Sequence, residues 1–213
     1  MSRLITGSLF GSISWAKNSP PHWRERAYQS LEDMLARVWN DPNEAAQRGM
    51  DFEKTAYSIL GSKANNIEAL SCSDHFKKIL NLCKGGQFQK KTKSFIEIAG
   101  EEYCLYGKID VWFEKLIIDI KTTGNYKGRD NYLKSMQHKI YCYCEGISDF
   151  QYVIAEFTDS SGNTIKEVHI VDYHIDNPKD LKEEITDEVI NALTFLEADP
   201  KLLDLFLTKY SMY

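Results

Sequence analysis

Apolar side chains recur along this chain with two different periods. From Trp23 to Leu60 they come three and four residues apart: Trp23, Ala27, Leu31, Met34, Leu35 and Val38, then Ala46, Gly49, Phe52, Ala56, Ile59 and Leu60. This spacing predicts two helices. Ser19 ahead of Pro20-Pro21 suits the start of the first, which runs to Asn40, and Asp41-Pro42-Asn43 separates it from the second, which ends at Gly61. A third helix is expected from about Ile67 to Leu82, closed by Lys84-Gly85-Gly86.

From Gln87 the period shortens to two. Strands are expected over Phe88–Ile98, Tyr103–Phe113 and Ile117–Lys121, with a turn near Ala99-Gly100-Glu101. Thr122 to Arg129 holds two glycines and reads as a loop. A helix follows from Asp130 to Glu145, with Leu133, Met136, Ile140 and Tyr143 as its core stripe and Gly146 as its cap. Gln151–Phe157 and Thr164–Tyr173 form a second hairpin around residues 159–163. Asn177-Pro178 opens a last long helix, Asp199-Pro200 breaks it, and Leu202 to Leu207 is an apolar tail that could dock on the body or on another subunit. The order of elements predicts an α/β (α+β) fold, a mixed sheet flanked by helices.

The 213 residues suit one sizeable core. The expected organisation is a single domain over 1–213, with a core at about 45–157, a helical lead-in over 1–42, and a C-terminal hairpin and helix over 151–213. A net charge of −5 argues against a protein that coats nucleic acid nonspecifically. The charge is uneven, however: Lys77, Lys78, Lys84, Lys90, Lys91 and Lys93 fall in one run, whereas Asp176, Asp180, Glu183, Glu184, Asp187 and Glu188 crowd the end. Cys72, Cys83, Cys104, Cys142 and Cys144 contain no C-x-x-C pair and read as buried free thiols. With no apolar run near the ~20 residues of a membrane helix and no signal-peptide pattern, the expected setting is soluble and cytoplasmic, with no membrane contact.

The chemistry gathers between Gly107 and Thr123. A two-residue turn at Glu114-Lys115 would place Asp110 directly across from Asp119. Opposed like charges weaken a sheet, and a divalent cation such as Mg²⁺ or Mn²⁺ would give the pair a use. Period two puts Lys121 on the Asp119 face, where it could orient a water or stabilise charge on a phosphate. The plain alternative is an edge hairpin whose charges face water. Gly49 would let its helix approach a strand closely and bring Glu53 to whatever that strand carries; otherwise Glu53 is a surface acid. Gln137 and Tyr141, four apart, share a helix face, either to meet substrate or because the tyrosine bounds the core.

Together Gly49-x-x-x-Glu53, Gly107-x-x-Asp110, Asp119-x-Lys121 and Gln137-x-x-x-Tyr141 resemble the PD-(D/E)xK nuclease superfamily, in the branch of the RecB nuclease domain and the lambda-type phage exonucleases. The resemblance covers about Ala45 to Phe157 and implies a restriction-endonuclease-like core. It implies that Asp110, Asp119, the Ile120 carbonyl and Glu53 hold Mg²⁺, with Mn²⁺ able to substitute. It further implies that Lys121 positions the attacking water and that Gln137 and Tyr141 steer the DNA strand. The cysteines lack the layout of the iron–sulfur branch, so no cluster is expected. The activity implied is a metal-dependent exonuclease on double-stranded DNA ends in phage recombination or DNA processing, working as a homo-oligomer or beside a single-strand annealing protein. The alternatives are a structure-specific endonuclease on the same core and a catalytically silent DNA-binding protein.

Overall fold

The computed structural model describes residues 2–61, 72–158 and 164–211. The chain opens with a strand that its sequence did not announce, β1 (Arg3–Thr6), followed at once by α1 (Gly7–Asn18). The Thr6 hydroxyl accepts the Leu9 N–H at 3.1 Å and starts the helix. Ser19 therefore lies at the end of α1 rather than at the head of the next helix. That next helix, α2 (Arg24–Ala36), is shorter than expected because Arg37 turns left-handed (φ 60°) and caps it. Ala27, Leu31 and Leu35 are its buried stripe, while Trp23 and Val38 are left exposed.

Helices α3 (Glu44–Gly61) and α4 (Asp74–Cys83) come next. The part of the expected third helix over 67–71 lies outside the described residues, and Ser73 caps α4 at its observed start. The strands β2 (Gln87–Ile98), β3 (Glu101–Trp112) and β4 (Leu116–Thr123) match the alternating pattern closely. Ala99 and Gly100, both at positive φ, make the tight β2–β3 turn. The expected helix over 130–145 is instead two pieces, α5 (Arg129–Leu133) and α6 (Gln137–Glu145), broken where Ser135 Oγ accepts the Gln137 N–H. The strands β5 (Asp149–Phe157) and β6 (Ile165–His174) form the second hairpin, whose turn at 159–163 lies outside the described residues. The helices α7 (Leu181–Glu197) and α8 (Pro200–Lys209) close the chain.

The six strands form one mixed sheet in the order β1-β3-β4-β5-β6, with β2 on the remaining edge of β3. β1–β3 and β4–β5 are parallel; the other pairs are antiparallel. Two cores form on opposite faces. One joins Leu9, Phe10, Leu31, Ile140, Ile185 and Phe206 to Leu105, Ile109 and Ile117. The other joins Ala56, Ile79 and Leu80 to Val111, Ile118 and Ile120. β4 is therefore covered on both faces, which explains its unbroken apolar run.

The C-terminal tail docks on the body. Leu202, Phe206 and Tyr210 are buried in the first core, and the Leu4 N–H donates to the Tyr210 carbonyl at 2.7 Å. Lys90 of the basic run pairs with Glu145 on α6, and Lys139 on α6 pairs with Glu184 of the acidic end. Among the described residues no helix is long and apolar enough to cross a membrane.

Candidate active site at a fork in the sheet

Glu114-Lys115 is a two-residue turn, closed by the Phe113 N–H donating to the Leu116 carbonyl at 2.9 Å. The pairs Trp112–Ile117 and Val111–Ile118 follow in the expected register. There the ladder stops. The next pair would have been Asp110 with Asp119, and the strands part instead. The Ile120 N–H donates to Asp110 Oδ2 at 2.9 Å, so a carboxylate takes the place of a strand carbonyl.

This opening is a fork. β2 occupies one edge of β3 along its length. On the other edge β1 pairs with residues 103–106 and β4 with Val111 and Trp112, and among the described residues no strand pairs with 107–110. The start of α6 fills the gap. Tyr141 donates its hydroxyl to the Lys108 carbonyl at 3.0 Å, satisfying a backbone acceptor that a strand would otherwise have met. Gly107 makes room for the ring and Gly7 for Gln137, whose Cα lies 3.1 Å from where a Gly7 Cβ would be.

The sequence-predicted residues meet here. Asp119 is 1% exposed, and Gln137 Nε2 donates to its Oδ1 at 2.6 Å and to Tyr141 Oη at 3.2 Å. Lys121 Nζ lies 2.6 Å from Asp119 Oδ2, an ion pair without the alignment of a hydrogen bond, so that oxygen is buried and lacks a directed donor. A Cβ at Gly49 would fall 2.9 Å from Thr122 Oγ1, so α3 does lie close against β4. This approach brings Glu53 within electrostatic reach of Asp110, Asp119 and Lys121. Gln137 and Tyr141 point partly inward, onto Asp119 and Lys108, yet both still line a cavity of about 430 Å³ with Arg37, Trp39 and Lys108.

The electrostatics follow from crowding. Burial, then repulsion from Asp110 and Asp119, pushes Glu53 up to about 7, with Lys121 opposing. Burial also raises Asp119, against the attraction of Lys121. For Lys121 burial favours the neutral form, but Asp119 and Asp110 outweigh it and hold the ammonium charged above its ordinary range. Converging carboxylates kept uncomfortable in this way are a common sign of a functional site.

Two contributors were not singled out from sequence. Tyr57, one helical turn after Glu53, buries its hydroxyl beside Asp110 and Gln89 with no aligned hydrogen bond; its i+4 spacing from Glu53 was the available signal. Gln89, whose amide Nε2 lies 3.3 Å from Asp110 Oδ1, left no trace in the pattern. A separate group, Glu156, Glu167 and His169, places one ligand atom of each within 4.8 Å of the others. Lys166 and His169 already contact the two Glu156 oxygens at 3.2 and 2.8 Å, so this group reads as a salt-bridge cluster.

No family model matches the sequence, and no curated protein is significantly similar to it. Solved structures are. SSO0001 aligns over 100% of this chain and 89% of its own, with a TM-score of 0.54 and 13% identity. The chain shares that fold. LHK-Exo in complex with dAMP aligns over 97% of this chain and 94% of its own, at a TM-score of 0.48 and 20% identity. A phage-related exonuclease from Haemophilus somnus 129PT aligns over 92% and 94%, at 0.48 and 14%.

Proposed function

We propose that this chain is a metal-dependent deoxyribonuclease of the PD-(D/E)xK type that degrades duplex DNA from its ends. The observation that carries the reading is the convergence of Asp110, Asp119, Glu53 and Lys121 at the one place where β3 and β4 part. A structural hairpin gains nothing from burying like charges together. A site for a hard cation does. The donors are all oxygens, as Mg²⁺ or Mn²⁺ requires, and the buried Asp119 Oδ2 without a directed donor is an acceptor such an ion would satisfy.

Asp110, Asp119 and the Ile120 carbonyl would hold the ion, with Glu53 completing the set from α3. When bound, such an ion lowers the pKa of water and neutralises charge on the phosphate and the leaving oxygen. Lys121 is held charged by Asp119, and its side chain is 37% exposed, so its ammonium can orient a water for in-line attack. Gln137 pins the other Asp119 oxygen and keeps the carboxylate in that orientation. The cavity beside Gln137 and Tyr141, with Lys108 and Arg37 in its wall, suits a strand entering next to the scissile phosphate. The finer assignments rest on the motif resemblance: a phage or recombination setting, a single-strand annealing partner and a homo-oligomer. With Leu202, Phe206 and Tyr210 buried in the body, an oligomer would have to use a face other than theirs.

The test uses linear duplex DNA labelled at either the 5′ or the 3′ end, and a closed circular plasmid. Progressive loss of end label in Mg²⁺, its absence in EDTA or with Lys121→Ala, and an intact circle are the expected results. Nicking of the circle would favour the endonuclease. A folded protein that binds DNA and cuts neither substrate in Mg²⁺ or Mn²⁺ would leave only a binding protein.

A further inference from the structure

We propose that Gln89 is a positioning residue for Asp110: its left-handed backbone turns the β2–β3 ribbon over at the site, and its amide nitrogen is aimed at one Asp110 oxygen. The inference rests on the reading of Asp110 as a ligand for a divalent cation and assigns the group that orients it.

Three described residues other than glycine have positive φ: Arg37, Ala99 and Gln89. The first caps a helix and the second sits in a tight turn, places where left-handed backbone is routine. Gln89, at φ 56°, lies inside a strand. Its register position is equally particular. Phe88 pairs with Val111 and Lys90 with Ile109, and the pair between them, Gln89 with Asp110, is missing from the ladder.

The ribbon changes face at that step. Residues two apart on a strand should share a face, yet Ile109 belongs to the first core and Val111 to the second. On β2, likewise, Ile96 packs in the first core and Phe88 against the second, and Lys90 reaches Glu145 on α6. The reversal leaves Asp110 between the two faces, where it meets the Ile120 N–H from β4 and the Gln89 amide from β2. The Tyr57 hydroxyl closes the same spot from α3. A non-glycine residue kept in a conformation that glycine adopts freely indicates that its side chain is wanted there.

Fold and amide can be separated by substitution. Gln89→Gly keeps the left-handed backbone without strain and removes the amide. Gln89→Met keeps the strain and the bulk and also removes the amide. Asp110→Asn reports on the underlying ligand reading. Each purified variant would be melted in EDTA and titrated with Mn²⁺ by calorimetry, without DNA. Gln89→Gly is expected to melt at or up to about 2–4 °C above the parent, yet to bind Mn²⁺ about tenfold more weakly or worse, as groups that orient metal ligands do. Gln89→Met should weaken Mn²⁺ similarly while melting no higher than the parent. Parent-like Mn²⁺ affinity in Gln89→Gly, or in Gln89→Met should the glycine variant not fold, overturns the role given to Gln89. A parent that binds no Mn²⁺, or an Asp110→Asn variant that binds it unchanged, instead overturns the ligand reading on which the proposal stands.

Discussion

Tyr141 packs against Gly107 so closely that a Cβ on the glycine would lie 2.0 Å from ring carbon Cε1. The two residues are 34 positions apart and belong to α6 and β3. Their contact plugs the fork in the sheet and holds Gln137 over Asp119. Gly107→Ala should therefore be costly in two ways. Overpacking of this kind costs about 1–3 kcal/mol, and the displaced ring would carry the Gln137 contact with it. A thermal melt should fall by several degrees, and cleavage should fall with it. Parent-like melting would mean that the ring moves aside freely and that the plug is not structural.

Asp119 should be a residue that the metal-free fold is better without. Burial pushes its carboxyl up despite Lys121, so the ionised form is disfavoured in this position. Asp119→Asn keeps an oxygen for Gln137 and removes the charge, and Lys121 has solvent to turn to. In EDTA the variant is expected to melt at or above the parent. In Mg²⁺ it should lose cleavage by at least about a hundredfold, the scale of a lost electrostatic stabiliser. Calorimetry paired with single-turnover cleavage reads both, and a variant that melts far lower in EDTA would contradict the electrostatic account.

Metal binding should be pH-dependent, with Glu53 as one source. Its carboxyl, raised to about 7 by burial and by Asp110, binds a proton more tightly in the fold than its ordinary value of 4.5 allows. Its contribution to metal-free stability is thus fully present below about 4.5 and is lost as pH rises through about 7. Cation affinity runs the other way, because the ion needs the carboxylate deprotonated. Mg²⁺ titrations should tighten steeply from about pH 6 to about pH 7 and level off above about pH 8. Glu53→Gln should flatten that rise; an unchanged profile would remove Glu53 from the metal set.

The buried tail gives a stability prediction. Phe206 is fully buried against Tyr210 and the first core, so Phe206→Ala should cost about 3–5 kcal/mol in chemical denaturation. A variant as stable as the parent but altered in oligomeric state would return the tail to the subunit-interface role.

What the sequence determined by itself was local and periodic. Alternation located β2, β3 and β4 almost to the residue, and Glu114-Lys115 forms the two-residue turn that the sequence suggested, although the ladder it starts ends at Val111–Ile118, one pair short of Asp110 and Asp119. Gly49 pointed to the close approach of α3, because the lack of a side chain is itself a statement about space. Other features depended on partners distant in the chain. β1 is four residues long and carries no period of its own; it is a strand because β3 offers it an edge. The break between α5 and α6, the inward aim of Gln137 and Tyr141, and the docking of Leu202 and Phe206 are likewise tertiary choices. Gln89 is the clearest case. Side-chain chemistry in a sequence says which groups are available, but a left-handed strand residue and a parted ladder arise only when the backbones of β2, β3 and β4 must share one place. Pattern named the candidate residues; packing decided their geometry.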